Sequence, residues 1–292
     1  MGTSKFLIFL ILTLSPILSS SSDYTNLVFK GCADQSFQDF NSIYKQTLQN
    51  LLETLTSQSS TTKFFNTTSG DASSAINGAF QCRGDLSNDD CNRCVKKTPS
   101  LAQKLCKQAI AARVQLNGCY LKYEISGFRQ VSETELLYKI CGSNRATGAG
   151  FGDRLDLALG EIVKGVANGF YAGEYESVYV LGQCEGDLSG GDCVNCVRNA
   201  VDRVKTECGS SISAQIYLQE CYISYTYYPS GVPTNQQTIS SSGTGTGTGG
   251  RNTQKTIAIV LGGLVGVGLV MACLLFTKSA FKKKTRSYKY GG

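Results

Sequence analysis

Cysteine is the residue type whose number and spacing carry chemistry in this chain of 292 residues, which has 13 Cys and no His. Twelve of the cysteines fall into two sets of six. QCRGDLSNDDCNRCV, beginning at Gln81, matches QCEGDLSGGDCVNCV, beginning at Gln183, and both contain C-x8-C-x2-C. The next two intervals, 12 and 13 residues, are also equal: Cys94 to Cys106 to Cys119, and Cys196 to Cys208 to Cys221. Upstream, LVFKGC ending at Cys32 resembles LLYKIC ending at Cys141. Three chemistries use such patterns. Zinc needs four ligands with thiolate character. A thioredoxin-like pair acts by itself, without a third Cys nine residues upstream. Disulfides staple small exported domains, and they account for all twelve residues. A redox enzyme or sensor built on Cys91 and Cys94 is the competing chemistry. Six cysteines allow 15 pairings per repeat, and spacing does not choose among them. Each bridge would stabilise its domain by roughly 2–4 kcal/mol.

Without His, neither a Ser-His-Asp nor a Cys-His catalytic arrangement exists, nor a His-ligated metal site. No carboxylate pair or lysine stands out as catalytic. The expectation is therefore a non-enzymatic protein with no metal and no other cofactor.

The elements that must hold the cysteines read as an α+β pattern. In the first repeat, Phe40, Ile43, Tyr44, Leu48, Leu51, Leu52 and Leu55 recur at helical spacing within Phe37–Thr56. Asp89–Cys106 reads as a second helix, with Asp89 or Asp90 as its cap. Ala75–Cys82, Ile110–Leu116 and Cys119–Ile125 read as extended. The second repeat gives Arg154–Ala167 and Gly191–Cys208 as helices, with Tyr175–Cys184, Ala214–Leu218 and Cys221–Tyr227 extended. The fold expected is two tandem small disulfide-rich domains, each two helices packed on an antiparallel sheet, plus one transmembrane helix.

That helix and a leader bracket the repeats. Residues 1–22 have a short positive start, an apolar stretch at Phe6–Leu12 and small residues at the exit, which describes a cleavable signal peptide. MGTSKF also fits a myristoylation start, but the export signal takes precedence. Ile257–Phe276 holds 20 residues without a charge, the length a helix needs to cross a bilayer. The tail after it is basic and has no acid, so the positive-inside rule places it in the cytoplasm and the repeats outside. The expected layout is a signal peptide over 1–22, cysteine-rich repeat domains over 23–130 and 131–228, and a flexible stalk over 229–255. A transmembrane helix over 256–276 and a basic cytoplasmic tail over 277–292 complete it, giving a single-pass type I membrane protein. The stalk's 27 residues would span roughly 30 Å. Gly262 and Gly266 form a GxxxG step that lets two such helices pack, in homo- or hetero-oligomers with related membrane proteins. Cys273, left over from the repeats, is a candidate palmitoylation site. A tail this short holds no catalytic domain, so signalling must pass through other proteins or lipids.

The formal net charge of +6 comes from the ends, because all 22 acidic residues lie between leader and tail. The repeats carry no basic footprint, so no nucleic acid is expected as a partner. The Lys-rich tail suits anionic lipids of the inner leaflet. Asn66-Thr67-Thr68 is the standard glycosylation sequon, read here as lying in a polar loop between helix and strand.

The frames QCRGDLSNDDCNRC and QCEGDLSGGDCVNC resemble the cysteine-rich repeat of ginkbilobin-type antifungal proteins and of plant cysteine-rich receptor-like kinases. Two such repeats, a stalk, one membrane helix and a short tail without a kinase resemble the plasmodesmata-located proteins. The resemblance implies pairings Cys32–Cys106, Cys82–Cys91 and Cys94–Cys119, repeated as Cys141–Cys208, Cys184–Cys193 and Cys196–Cys221. It implies residence at plasmodesmata in the plasma membrane, regulation of cell-to-cell trafficking through callose deposition, and a role in defence. It also implies a mannose site, formed in single-domain relatives by an Asn after the first Cys, an Arg after the fifth and a Glu after the sixth. Arg113 and Glu124 hold two of these places, but Ala33 replaces the Asn, and the second repeat has Gly142, Gln215 and Thr226. The site is thus degenerate, and a cross-strand ion pair is the plainer reading of Arg113 and Glu124. The alternative function is a membrane-tethered carbohydrate-binding defence module with a cell-wall glycan or lipid as ligand.

Overall fold

The computed structural model describes residues 24–37, 43–71, 74–127 and 134–232. The expected signal peptide, most of the stalk, the membrane helix with Gly262, Gly266 and Cys273, and the tail lie outside these residues. Among the described residues no helix is long and apolar enough to cross a membrane.

Each repeat is a five-stranded antiparallel sheet with two helices. The first contains β1 (Leu27–Cys32), α1 (Ile43–Gln58), β2 (Phe64–Ser69), β3 (Ile76–Cys82), α2 (Asn88–Cys106), β4 (Ala111–Leu116) and β5 (Cys119–Ile125). The second contains β6 (Leu136–Cys141), α3 (Phe151–Gly165), a 3-10 turn at Val166–Asn168, β7 (Phe170–Tyr175), β8 (Val178–Cys184), α4 (Gly190–Glu207), β9 (Ser213–Leu218) and β10 (Cys221–Tyr227). Strand orders are the same, β1-β4-β5-β3-β2 and β6-β9-β10-β8-β7.

The cysteine spacing follows from this geometry. Residues three apart on a helix share a face, so Cys91 and Cys94 both point from α2 into the sheet, and both are fully buried. Cys91 is bonded to Cys82 at the end of β3, Cys94 to Cys119 at the start of β5, and Cys106 to Cys32 at the end of β1. The helix is thereby tied to three strands at its start, one turn in, and at its end. Cys193–Cys184, Cys196–Cys221 and Cys208–Cys141 do the same for α4.

Apolar residues fill the space under each helix pair. Leu51 and Leu55 from α1 meet Ile76, Phe80, Leu116 and Leu121 of the first sheet, all with no more than 1% exposure. Leu159 and Ile162 from α3 meet Val180, Ile216, Leu218 and Ile223 in the second. Burying one such side chain contributes about 1.5–3 kcal/mol.

Several local expectations change. The cap of α2 is Ser87, whose hydroxyl accepts from the Asp90 N–H at 3.0 Å and itself donates to the Asp90 carboxylate at 2.6 Å. Ser189 and Asp192 repeat this in α4. The serine wins because it lies just outside the helix with extended backbone, where its oxygen reaches the free N–H groups. Tyr175–Cys184 is not one strand: it turns at Glu176–Ser177, both with positive φ, and forms the β7–β8 hairpin. Asn66 lies on strand β2, opposite Ala79 of β3, not in a loop.

Candidate functional site

Alternation along the strands sends one set of side chains under the helices and the other to the opposite face of each sheet. Cys119, Leu121 and Tyr123 of β5 join the core. The intervening Tyr120 and Lys122 reach Glu185 of the second repeat, so the helix-free face of the first sheet is turned toward the other domain. The described residues of both repeats belong to one compact unit.

Three features hold the repeats together. An aromatic seam crosses the junction: Phe29 stacks on Tyr138 at 5.1 Å and meets the Tyr217 ring edge-on at 5.4 Å, and Tyr217 stacks on Tyr222. The Gly-Asp turns of the two repeat frames form a second, reciprocal pair of contacts. Gly84 packs on Phe170 and Gly186 on Phe64; a Cβ on either glycine would meet the ring's side chain at 2.5 and 2.6 Å respectively. The Gly84 N–H donates to Gln183 Oε1 at 2.9 Å.

The third feature is a buried charge cluster. The two Glu185 carboxylate oxygens accept from Lys122 Nζ at 2.7 and 2.9 Å; one of them also accepts from the Tyr120 hydroxyl, and Arg113 Nη1 lies 4.0 Å from it. Glu185 is 6% exposed. Burial, and then the Glu185 charge, push the Tyr120 hydroxyl well above the usual tyrosine range. Arg113 also donates to the Gln219 carbonyl at 2.9 Å, and its guanidinium lies 3.9 Å from the centre of the Tyr120 ring.

Beside this cluster lies a cleft of about 620 Å³. Ala33, Asn66, Asn77, Arg113, Lys122 and Glu124 line it from the first repeat, and Leu137, Glu185, Asp187 and Gln219 from the second. Both residues of the degenerate sugar site therefore open on one cleft, which the second repeat closes over. Arg113 stands opposite Lys122 in register, and Glu124 opposite Ala111, so the two are not a directly opposed cross-strand pair. Asn66 Nδ2 donates to Asp187 Oδ2 at 3.1 Å, which places the sequon asparagine on the rim.

Amides, hydroxyls and charges of both signs make this a hydrogen-bonding cleft. Among the described residues no group of three or more His, Cys, Asp or Glu gathers in a way that could hold a metal. Sequence reasoning missed Lys122, Glu185, Asp187 and Gln219. A signal for one of them was present: the two repeat frames differ by a charge reversal straight after the second cysteine, Arg83 against Glu185. Arg83 instead forms a two-pronged pair with Asp85, at 3.0 and 2.5 Å.

Residues 31–126 and 140–228 match the family model described as salt stress response/antifungal. Two solved structures from Arabidopsis thaliana resemble the chain. The tandem DUF26 ectodomain of the cysteine-rich receptor-like protein PDLP8 has TM-score 0.66 and 30% identity, covering 70% of this chain and 98% of that one. That of PDLP5 has TM-score 0.63 and 25% identity, covering 69% and 99%. Fold, stapling and docked repeats thus define a receptor-like tandem DUF26 ectodomain. Over longer spans, Plasmodesmata-located protein 2 of the same plant is 49% identical, covering 93% of this chain and 92% of its own. Plasmodesmata-located protein 1 is 45% identical, covering 98% of each. The chain belongs to the plasmodesmata-located protein family.

Proposed function

We propose that this chain is a non-enzymatic, receptor-like protein of the plasma membrane at plasmodesmata, where it regulates cell-to-cell trafficking. The observation that carries this reading is the likeness to Plasmodesmata-located protein 1 across 98% of both chains, which takes in the ends as well as the repeats. In this reading the ectodomain faces the wall space, the segment at 256–276 anchors it, and the basic tail lies in the cytoplasm. The output is callose deposition that narrows the channel, engaged in defence. Gly262 and Gly266 pair the membrane helix with a second copy or a related protein, and Asn66 carries a glycan.

The competing reading, a tethered carbohydrate-binding module, has a cleft but not a free arginine. Arg113 is held by the Gln219 carbonyl and the Tyr120 ring, and Ala33 supplies no polar group. A polyhydroxyl ligand would have to displace contacts that join the repeats.

A C-terminal fluorescent fusion in leaf epidermis, co-stained for callose, tests the proposal. Paired puncta across the wall that coincide with callose, with less dye spread on overexpression, are expected. A uniform plasma-membrane outline with unchanged callose and dye movement rejects it.

A further inference from the structure

An apolar opening in the first repeat lies between α1 and α2, with a volume of about 730 Å³. That is within the range of small-molecule sites. Leu48, Leu52, Pro99, Ala102 and Tyr123 give it an apolar lining, and Lys45, Lys96 and Lys107 stand around it. None of these three lysines has an ion-pair or side-chain hydrogen-bond partner among the described residues. One carboxylate, Glu53, lines the groove, and it accepts from Gln49 at 2.9 Å.

Comparison of the two repeats singles out Lys107. It directly follows Cys106, as Gly209 follows Cys208. The two positions have nearly the same φ, 54° and 56°, a region that disfavours any residue with a Cβ. The second repeat meets this with glycine. The first keeps a lysine there, with ψ −114°. Such strain concentrates at functional positions, and Lys107 is one of the residues that line the groove. The second repeat also differs across its own helix pair, where Lys205 pairs with Asp156 at 3.1 Å. Gln103 occupies the place of Lys205 in the first repeat, counted from the shared cysteines, so no such tie is made there.

We infer that the α1–α2 groove of the first repeat binds a fatty-acid-like carboxylate, its apolar chain between the helices and its head on Lys107, with Lys45 and Lys96 adding positive charge. The match is one of charge and shape: an apolar trough with unpaired cations suits an apolar anion and disfavours a neutral or cationic amphiphile. The groove shares one lining residue, Tyr123, with the junction cleft, and the assignment does not rest on residence at plasmodesmata.

The test uses the secreted ectodomain, residues 23–232, a span corresponding to relatives solved as ectodomains alone. Dodecanoate, dodecanol and dodecyltrimethylammonium are titrated by calorimetry. Saturable binding of dodecanoate alone is expected, weakening as salt is raised. Lys107→Gly, which installs the residue the backbone favours and so retains the fold, is expected to lower affinity about tenfold, the loss of one charge-assisted contact. Leu52→Gln lowers it through the groove wall. Equal binding of dodecanol, no saturable binding of dodecanoate, or unchanged affinity in both variants overturns the assignment.

Discussion

Glu185 shows how one side chain acquires a role that its neighbours in the sequence do not reveal. In the repeat frame it stands where the first copy has Arg83, yet it is buried and takes two contacts from Lys122 and one from Tyr120. Removing one partner from a buried cluster leaves the others unpaired, which costs several kcal/mol in a dry site. Lys122 is 29% exposed, which reduces that figure. Glu185→Ala is expected to lower stability by about 2–3 kcal/mol, with Glu185→Gln milder, read by denaturant unfolding. The buried tyrosines set an alkaline limit. Burial raises Tyr123 and Tyr225 to about 12, while both return to about 10 in the unfolded chain. The folded state holds these protons longer, so their contribution is complete below pH about 10 and declines as pH rises toward 12. Thermal midpoints measured across that window should fall, and ultraviolet titration should show these phenolates forming late.

At the scale of the element, α2 and α4 organise each domain. Ser87 and Ser189 cap them, and Ser87→Ala should cost about 1 kcal/mol, seen as a lower midpoint without loss of assembly. The bridges differ by the loop they close. Cys32–Cys106 spans 74 residues and Cys82–Cys91 spans 9. Loop-closure entropy makes the first worth about 4 kcal/mol and the second about 3 kcal/mol. Paired Cys→Ala replacements, compared by thermal unfolding, should keep that order; the reverse order would mean that native-state packing outweighs loop entropy. Helices and central strands were legible from the sequence because the 3.6-residue apolar period and short β-rich runs persist there. The edge strands β1, β2, β6 and β7 were not. LVFKGC and FFNTTS show no clean alternation, and the β1–β4 register itself shifts between Leu27 and Phe29.

For the whole molecule, docking of the repeats rests on close approaches that leave no room for added atoms. Gly84→Ala and Gly186→Ala each force a shift at a phenylalanine ring, and each should cost about 1–3 kcal/mol. If the repeats act as one body, unfolding should stay a single transition in wild type and separate into two in the double variant. The docked arrangement also gives the degenerate sugar site its setting, because the wall formed by Glu185, Asp187 and Gln219 comes from the second repeat, 61 to 106 residues further along the chain.

The repeat, the class of fold and the bridging chemistry were readable in the sequence alone, because cysteine intervals and apolar periods are local patterns that survive without coordinates. Which faces of the two domains meet depended on contacts between residues far apart in the chain. No local period encodes the meeting of Phe29 with Tyr138, or of Tyr120 with Glu185. Those pairings are decided by shape and charge once both sheets exist, and so only the tertiary structure decided them.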